Sequence, residues 1–173
     1  MKTIVIYNSQ TGFTKRYAEW IAEAAGAECV DLKTAEKQDL SAYEAIVFGS
    51  WACAGGISKL SWFKSAARRL EGKKLIAYCV GASPMESPEV EKSLERNFKA
   101  PGFEGVSAFY CPGGLDYEKM PAPSKFAMNM LVKVLSAKKE KTDEDREMIK
   151  MISSSYDISD KKYIEPILEA LGK

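Results

Sequence analysis

The sequence predicts an α/β protein, folded as a three-layer α/β/α sandwich around a parallel sheet. Three observations predict it. Short apolar runs alternate with stretches of helical periodicity. The runs are continuously apolar, the pattern of strands covered on both faces. The helical stretches of 10–12 residues between them are long enough for crossover connections.

In chain order, Lys2–Asn8 reads as the first strand. Thr14–Ala25 follows as a helix, with Tyr17, Ile21 and Ala24 on one face and Gly26 as its stop. Glu28–Leu32 is a weaker second strand, and Ala45–Gly49 is a third, ended by its glycine. Lys59–Leu70 is helical through Leu60, Phe63, Ala67 and Leu70, and Gly72 ends it. Lys74–Val80 is the fourth strand, ended by Gly81. Glu89–Phe98 is a helix with Val90, Leu94 and Phe98 in register. Gly105–Cys111 is the fifth strand, ended by Pro112-Gly113-Gly114. The resulting order is β-α-β-β-α-β-α-β, and right-handed crossovers leave few topologies for it.

The last third differs. Pro121 and Pro123 break the chain, and Ser124–Ser136 then reads as an amphipathic helix carrying Phe126, Met130, Leu131, Val134 and Leu135. After a charged link, Lys138–Asp145, Thr142 caps a helix running to about Ser153. A terminal helix carries Tyr163, Ile164, Ile167, Leu168 and Leu171, and Pro166 places its start just before that proline. One terminal helix suffices to cover the sheet. Residues 1–173 are therefore expected to form one domain, with a helical insertion at about 115–150.

Composition narrows the chemistry. The chain contains no histidine, so a catalytic triad, a His-ligated metal and imidazole acid–base catalysis are excluded. Cys29, Cys53, Cys79 and Cys111 are spaced 24, 26 and 32 residues apart, without a C-x-x-C pair, and are expected as reduced thiols. Twenty-five basic and 24 acidic residues give a net charge of +1, which indicates no general attraction to nucleic acid or membranes. The longest uncharged stretch, Ala45–Ser58, has 14 residues, against the ~20 a bilayer span needs. The N-terminus enters a strand pattern at once, with no leader-like run, so a cytoplasmic location is expected.

Strand ends in a parallel sheet gather at one edge, where ligands bind. The first such loop is Ser9-Gln10-Thr11-Gly12-Phe13-Thr14, leading straight into a helix. Free N–H groups, a positive dipole end and three hydroxyls suit one phosphate ester held by neutral donors. The loop has neither the G-x-x-x-x-G-K-[ST] pattern of a P-loop nor a G-x-G-x-x-G pattern. The other loops are Ser50-Trp51-Ala52-Cys53-Ala54-Gly55-Gly56-Ile57 and Gly81-Ala82-Ser83-Pro84-Met85. Their small residues, bracketed by Trp51 and Met85, leave room for a flat aromatic ring.

Tyr7-Asn8-Ser9-Gln10-Thr11-Gly12-Phe13-Thr14, followed by Tyr43-Glu44-Ala45-Ile46-Val47-Phe48-Gly49-Ser50, resembles the flavodoxin pattern over roughly residues 1–112. Gly113-Gly114-Leu115-Asp116-Tyr117, with the helices after it, more loosely resembles the branch that includes menaquinone-dependent protoporphyrinogen dehydrogenase. The resemblance implies the strand order 2-1-3-4-5 and a non-covalently bound FMN. It places Ser9, Gln10, Thr11, Gly12, Phe13 and Thr14 at the phosphate. Ser50, Trp51, Ala52, Cys53, Gly55 and Gly56 would lie along the isoalloxazine, with Gly81, Ala82 and Ser83 at its pyrimidine side and Gly113 and Gly114 beside the site. Gly55 or Gly56 would supply the reorienting peptide beside flavin N5. Flavodoxins are usually strongly acidic and this chain is not, so the lowering of the flavin potential by an acidic rim is expected to be weaker here.

The function implied is electron carriage at an exposed flavin edge, with redox proteins as partners. A second possibility is an FMN-dependent oxidoreductase acting on an organic substrate such as protoporphyrinogen, with a quinone acceptor. A third is a module that has lost FMN, against which the intact Thr11-Gly12-x-Thr14 loop speaks. Met120, Met128, Met130, Met148 and Met151, with Lys119, Lys125, Lys133, Lys138, Lys139 and Lys141, make the insertion a Met- and Lys-rich surface. Such a surface suits a tetrapyrrole, a quinone or a peripheral membrane contact. The plainer alternative is an extra helix packed on the core.

Overall fold

The computed structural model describes residues 1–53, 55–70, 72–99 and 101–173. Its elements run β1 (Thr3–Asn8), α1 (Phe13–Ala25), β2 (Glu28–Asp31), α2 (Leu32–Ala35) and, after a short 3-10 turn, β3 (Ala45–Cys53) and β4 (Gly56–Ile57). They continue through α3 (Leu60–Ala67), β5 (Lys74–Gly81), α4 (Pro88–Phe98), β6 (Val106–Pro112) and β7 (Gly114–Leu115). The insertion supplies α5 (Ala122–Ser136) and α6 (Asp143–Ile152), and β8 (Tyr156–Asp157) and α7 (Glu165–Leu171) close the chain.

The main sheet is ordered β2-β1-β3-β5-β6, and every pairing along it is parallel. With the five long strands numbered by themselves this is 2-1-3-4-5, the order the flavodoxin resemblance implied. Alternate residues serve opposite faces. Val5, Val47, Ile76 and Tyr78 pack with Tyr17 and Ile21 of α1 and Ile167 of α7. Ile4, Ile6, Phe48 and Ala77 pack with Phe63 of α3 and Leu32 of α2. Both faces are thus covered, which is why the strands read as unbroken apolar runs.

Two elements differ from expectation. The second and third strands are not joined directly. They flank β1 on opposite sides, so the chain must cross back over the sheet, and α2 buries Leu32 and Ala35 on the way. The third strand does not stop at Gly49 but runs on to Cys53, where Ala52 and Cys53 pair with Ile57 and Gly56. A Cβ at Gly49 would overlap the ring of Tyr78 on the neighbouring strand. This glycine marks a close approach inside the sheet rather than its end.

The insertion lies between β6 and the C-terminal helix, as expected. Thr142 caps α6 as expected, and the structure extends this to a capping box, with the Thr142 hydroxyl accepting from Asp145 N–H and the Asp145 carboxylate accepting from Thr142 N–H. The amphipathic face of α5 is not packed on the core. Among its large apolar residues only Leu135 is buried, while Phe126, Met130, Leu131 and Val134 are exposed, Phe126 by 69 %.

Candidate functional site

The site is built from the carboxyl ends of β1, β3, β5 and β6. Gly12 holds φ +104°, the left-handed backbone that turns the chain from β1 into α1, and its N–H donates to Ser9 Oγ (3.2 Å). No side chain caps α1, so the N–H groups of its first turn point to the loop unpaired by any cap. The Thr14 hydroxyl is buried, the residue 1 % exposed, and has no hydrogen-bond partner among the described residues. The Thr14 carbonyl is tied back by the buried Tyr78 hydroxyl (3.1 Å). An orphaned buried hydroxyl beside a free helix N-terminus fits an anion that accepts from both, as a phosphate ester does.

The cation nearest this cradle in sequence after Lys15 is committed elsewhere. Arg16 bonds Asp157 and the Ser159 hydroxyl, and Lys15 faces Glu19 at 3.6 Å. Asp157 is partly buried, which works against ionisation, but the bonds from Arg16 and Ser159 outweigh this and hold its carboxyl below the usual range. The cradle thus presents neutral donors and a helix N-terminus, with Arg16 and Lys119 lining the cleft beside Thr11 and Gly12.

A cavity of about 290 Å³ runs from the cradle across the sheet edge. It brings together Gln10, Thr11, Phe13, Thr14, Trp51, Ala52, Cys53, Gly81, Ala82 and Gly114. Beside it, a cavity of about 200 Å³ is lined by Gly55 and Ser83 together with Lys92, Ser93 and Arg96 of α4. Gly12 opens to a neighbouring cleft with Arg16, and Ser9 to another with Asn8 and Lys59. Three sequence-predicted residues line none of these spaces. Ser50 is fully buried and accepts from Asn8 Nδ2 (2.9 Å). Gly56 is paired in the β3–β4 ribbon. Gly113 is packed against Val80 and Phe13, with its N–H on the Gly81 carbonyl (2.8 Å). Ala54 lies outside the described residues.

The structure adds groups that the sequence did not single out. The Tyr110 hydroxyl donates to the Ser83 carbonyl (2.7 Å) and the Tyr156 hydroxyl to the Ala82 carbonyl (2.6 Å). Burial raises both phenols, Tyr156 to about 12, so both are protonated donors at neutral pH. They occupy the carbonyls of the Gly81–Ser83 loop. Asn97 of α4 likewise donates to the Gly55 carbonyl (2.9 Å). Met120, Pro123, Ser124, Ala127 and Met128 of the insertion form a wall of the larger cavity, and Ser124 reaches Gln10 (3.4 Å). No local motif signals these long-range partners, although tyrosines at strand ends are a general hint of a hydroxyl in use. The thiols divide by burial: Cys79 and Cys111 are buried, Cys79 being pushed up to about 12, while Cys53 is exposed at the cavity mouth. Among the described residues no cluster of potential metal ligands occurs.

Residues 4–145 match the family described as Flavodoxin domain. The chain is a member of that family. Solved structures resemble this flavodoxin-domain protein at low identity. One is a flavodoxin, WrbA-like protein from Agrobacterium tumefaciens, 22 % identical over 72 % of this chain and 87 % of that one, with a TM-score of 0.48. Another is a flavoprotein in complex with FMN from Lactobacillus acidophilus, 16 % identical over 64 % and 91 %, with a TM-score of 0.44. Oxidised Flavodoxin 1 from Bacillus cereus is 15 % identical over 78 % and 95 %, with a TM-score of 0.41. Among proteins of curated function, none matches the sequence.

Proposed function

We propose that this flavodoxin-domain protein binds FMN non-covalently along the carboxyl edge of its sheet and carries electrons at the exposed edge of the flavin, docking transiently on redox partners. The observation that carries this reading is the unpartnered, buried Thr14 hydroxyl at the free N-terminus of α1. When bound, FMN supplies both one- and two-electron chemistry at a single site.

The residues divide the work of binding. Thr11, Thr14 and the first-turn N–H groups of α1 hold the phosphate. Trp51, Ala52 and Cys53 flank the ring. The Gly81–Ser83 loop offers N–H groups to the pyrimidine edge, because Tyr110 and Tyr156 already engage its carbonyls. Asn97 fixes the Gly55 carbonyl on the opposite loop. Charges of both signs lie close to the site: Glu89, Lys92 and Arg96 of α4 line the smaller cavity and Asp116 lines the larger one.

The test is electron transfer by purified protein. FMN-loaded chain, reduced anaerobically and mixed with a protein acceptor such as cytochrome c, is expected to reoxidise in a saturable reaction. Colourless protein that retains no added FMN would overturn the reading. The apolar wall formed by Met120, Pro123, Ala127 and Met128 favours a second reading, an oxidoreductase whose organic substrate, such as protoporphyrinogen, lies over the ring while a quinone accepts the electrons. That reading requires porphyrin fluorescence to appear anaerobically from protoporphyrinogen only when both FMN and quinone are present.

A further inference from the structure

Helix α5 turns one side toward the cavity and another to water. Met128 and Ser124 line the cavity, whereas Phe126, Met130, Leu131 and Val134 are exposed at 69 %, 43 %, 42 % and 59 %. At helical spacing these four make one continuous stripe along the length of the helix. Met148 of α6 is exposed as well, at 43 %. An apolar stripe of this length in contact with water calls for a partner.

The surrounding charge identifies its chemistry. Helix α5 contains Lys125 and Lys133 and no carboxylate. From Lys119 to Lys141 there are six lysines and one glutamate, a local charge of +5 in a chain whose total is +1, so the rest carries −4. Lys119 and Lys138 are engaged by Asp116 and Asp145, while Lys125, Lys133, Lys139 and Lys141 have no carboxylate partner among the described residues. Three of the four carboxylates of α6 lie in its first turn, where Asp145 closes the capping box and Asp143 meets Arg146; the fourth is Glu147. Phe126, Met130, Leu131 and Val134 line none of the clefts at the sheet edge, so the stripe stands apart from the candidate site. A deformable apolar phase beneath a layer of negative charge matches both the stripe and the charge around it. The stripe enters the acyl boundary while the lysine stems reach back to the headgroups.

We propose that the outward face of α5 docks this protein reversibly on an anionic lipid surface. Docking there sets the neighbouring cavity against the bilayer, because Ala127 and Met128 of the same helix line it. No helix among the described residues is long and apolar enough to cross a membrane, so the contact lies in the interface plane. The proposal does not depend on the flavin: lipid binding and FMN content are measured separately on the same sample.

The test is sedimentation of the full FMN-loaded chain with vesicles of phosphatidylcholine, with and without phosphatidylglycerol. Binding is expected only to vesicles containing phosphatidylglycerol, and it is expected to weaken with added salt. The double variant Phe126→Ser/Val134→Ser is expected to lower the partition coefficient roughly tenfold or more. Lys125→Gln/Lys133→Gln is expected to lower it roughly tenfold. Both variants should keep their circular dichroism and yellow colour, since all four side chains lie away from the core; if the first pair fails to fold, the lysine pair carries the test. No binding, or equal binding to both kinds of vesicle, would overturn the proposal. So would a concentration-dependent dimer, abolished by Phe126→Ser/Val134→Ser, in protein that ignores vesicles.

Discussion

Thr14 shows how one side chain can serve a ligand at a cost to the free fold. Its hydroxyl is buried without a partner, and such a group costs about 1–3 kcal/mol. Thr14→Val keeps the shape and removes the orphan. The unliganded protein is therefore expected to gain about 1 kcal/mol in denaturant unfolding, while FMN binds roughly tenfold more weakly by flavin-fluorescence titration. Loss of stability and unchanged binding together would refute the role given to this hydroxyl. The loop Ser9–Thr14 was legible in sequence because its chemistry is local, a strand end, a glycine and hydroxyls leading into a helix. Tyr110, Tyr156 and Asn97 were not, because each reaches a loop far from it in the chain, Tyr156 and Ala82 being 74 residues apart. Their roles follow from tertiary placement that no short pattern encodes.

At the scale of elements, helical periodicity located α5 and α6 within a few residues but did not say which side of α5 would face the protein. An apolar stripe has the same sequence signature whether it meets a core or a membrane. Gly49 misled for a related reason. A glycine after an apolar run reads as a strand end, yet here it makes room for Tyr78 and the strand continues. By contrast, the cap at Thr142 was readable from its hydroxyl ahead of a helical stretch, and the structure adds the reciprocal bond from Thr142 N–H to Asp145. Thr142→Ala is expected to cost about 1 kcal/mol, seen as faster amide exchange confined to α6 and its contacts with α5. Exchange unchanged in α6 would show that packing, not the cap, sets its stability.

At the scale of the whole molecule, the C-terminal segment is fastened to α1 by charge. Arg16 on α1 bonds Asp157 on β8, and Tyr17 of α1 donates to the Pro112 carbonyl (2.6 Å) while accepting from Asp160 N–H (3.1 Å). Because the Asp157 carboxyl titrates lower in the folded state than in the unfolded chain, its contribution is present above the unfolded value of about 3.9 and is lost as pH falls through the folded one. The pair is nearly half exposed, so screening limits it to at most about 1 kcal/mol. Asp157→Asn is expected to lower Tm at neutral pH and to converge with the parent protein in acid. With no histidine to titrate, Tm of the parent should be flat between about pH 5.5 and 8. The parallel sheet was legible because its strands read as continuously apolar runs, whereas their order came with the flavodoxin resemblance; the tether was not legible, since 141 residues separate Arg16 from Asp157. The central claim is that a neutral cradle at the head of α1 grips a flavin by its phosphate. Parallel titrations of the apoprotein with FMN and riboflavin, which differ only in that phosphate, test it most directly. FMN is expected to bind at one per chain and riboflavin roughly a hundredfold more weakly; equal affinity for the two, or saturation with neither, would contradict it.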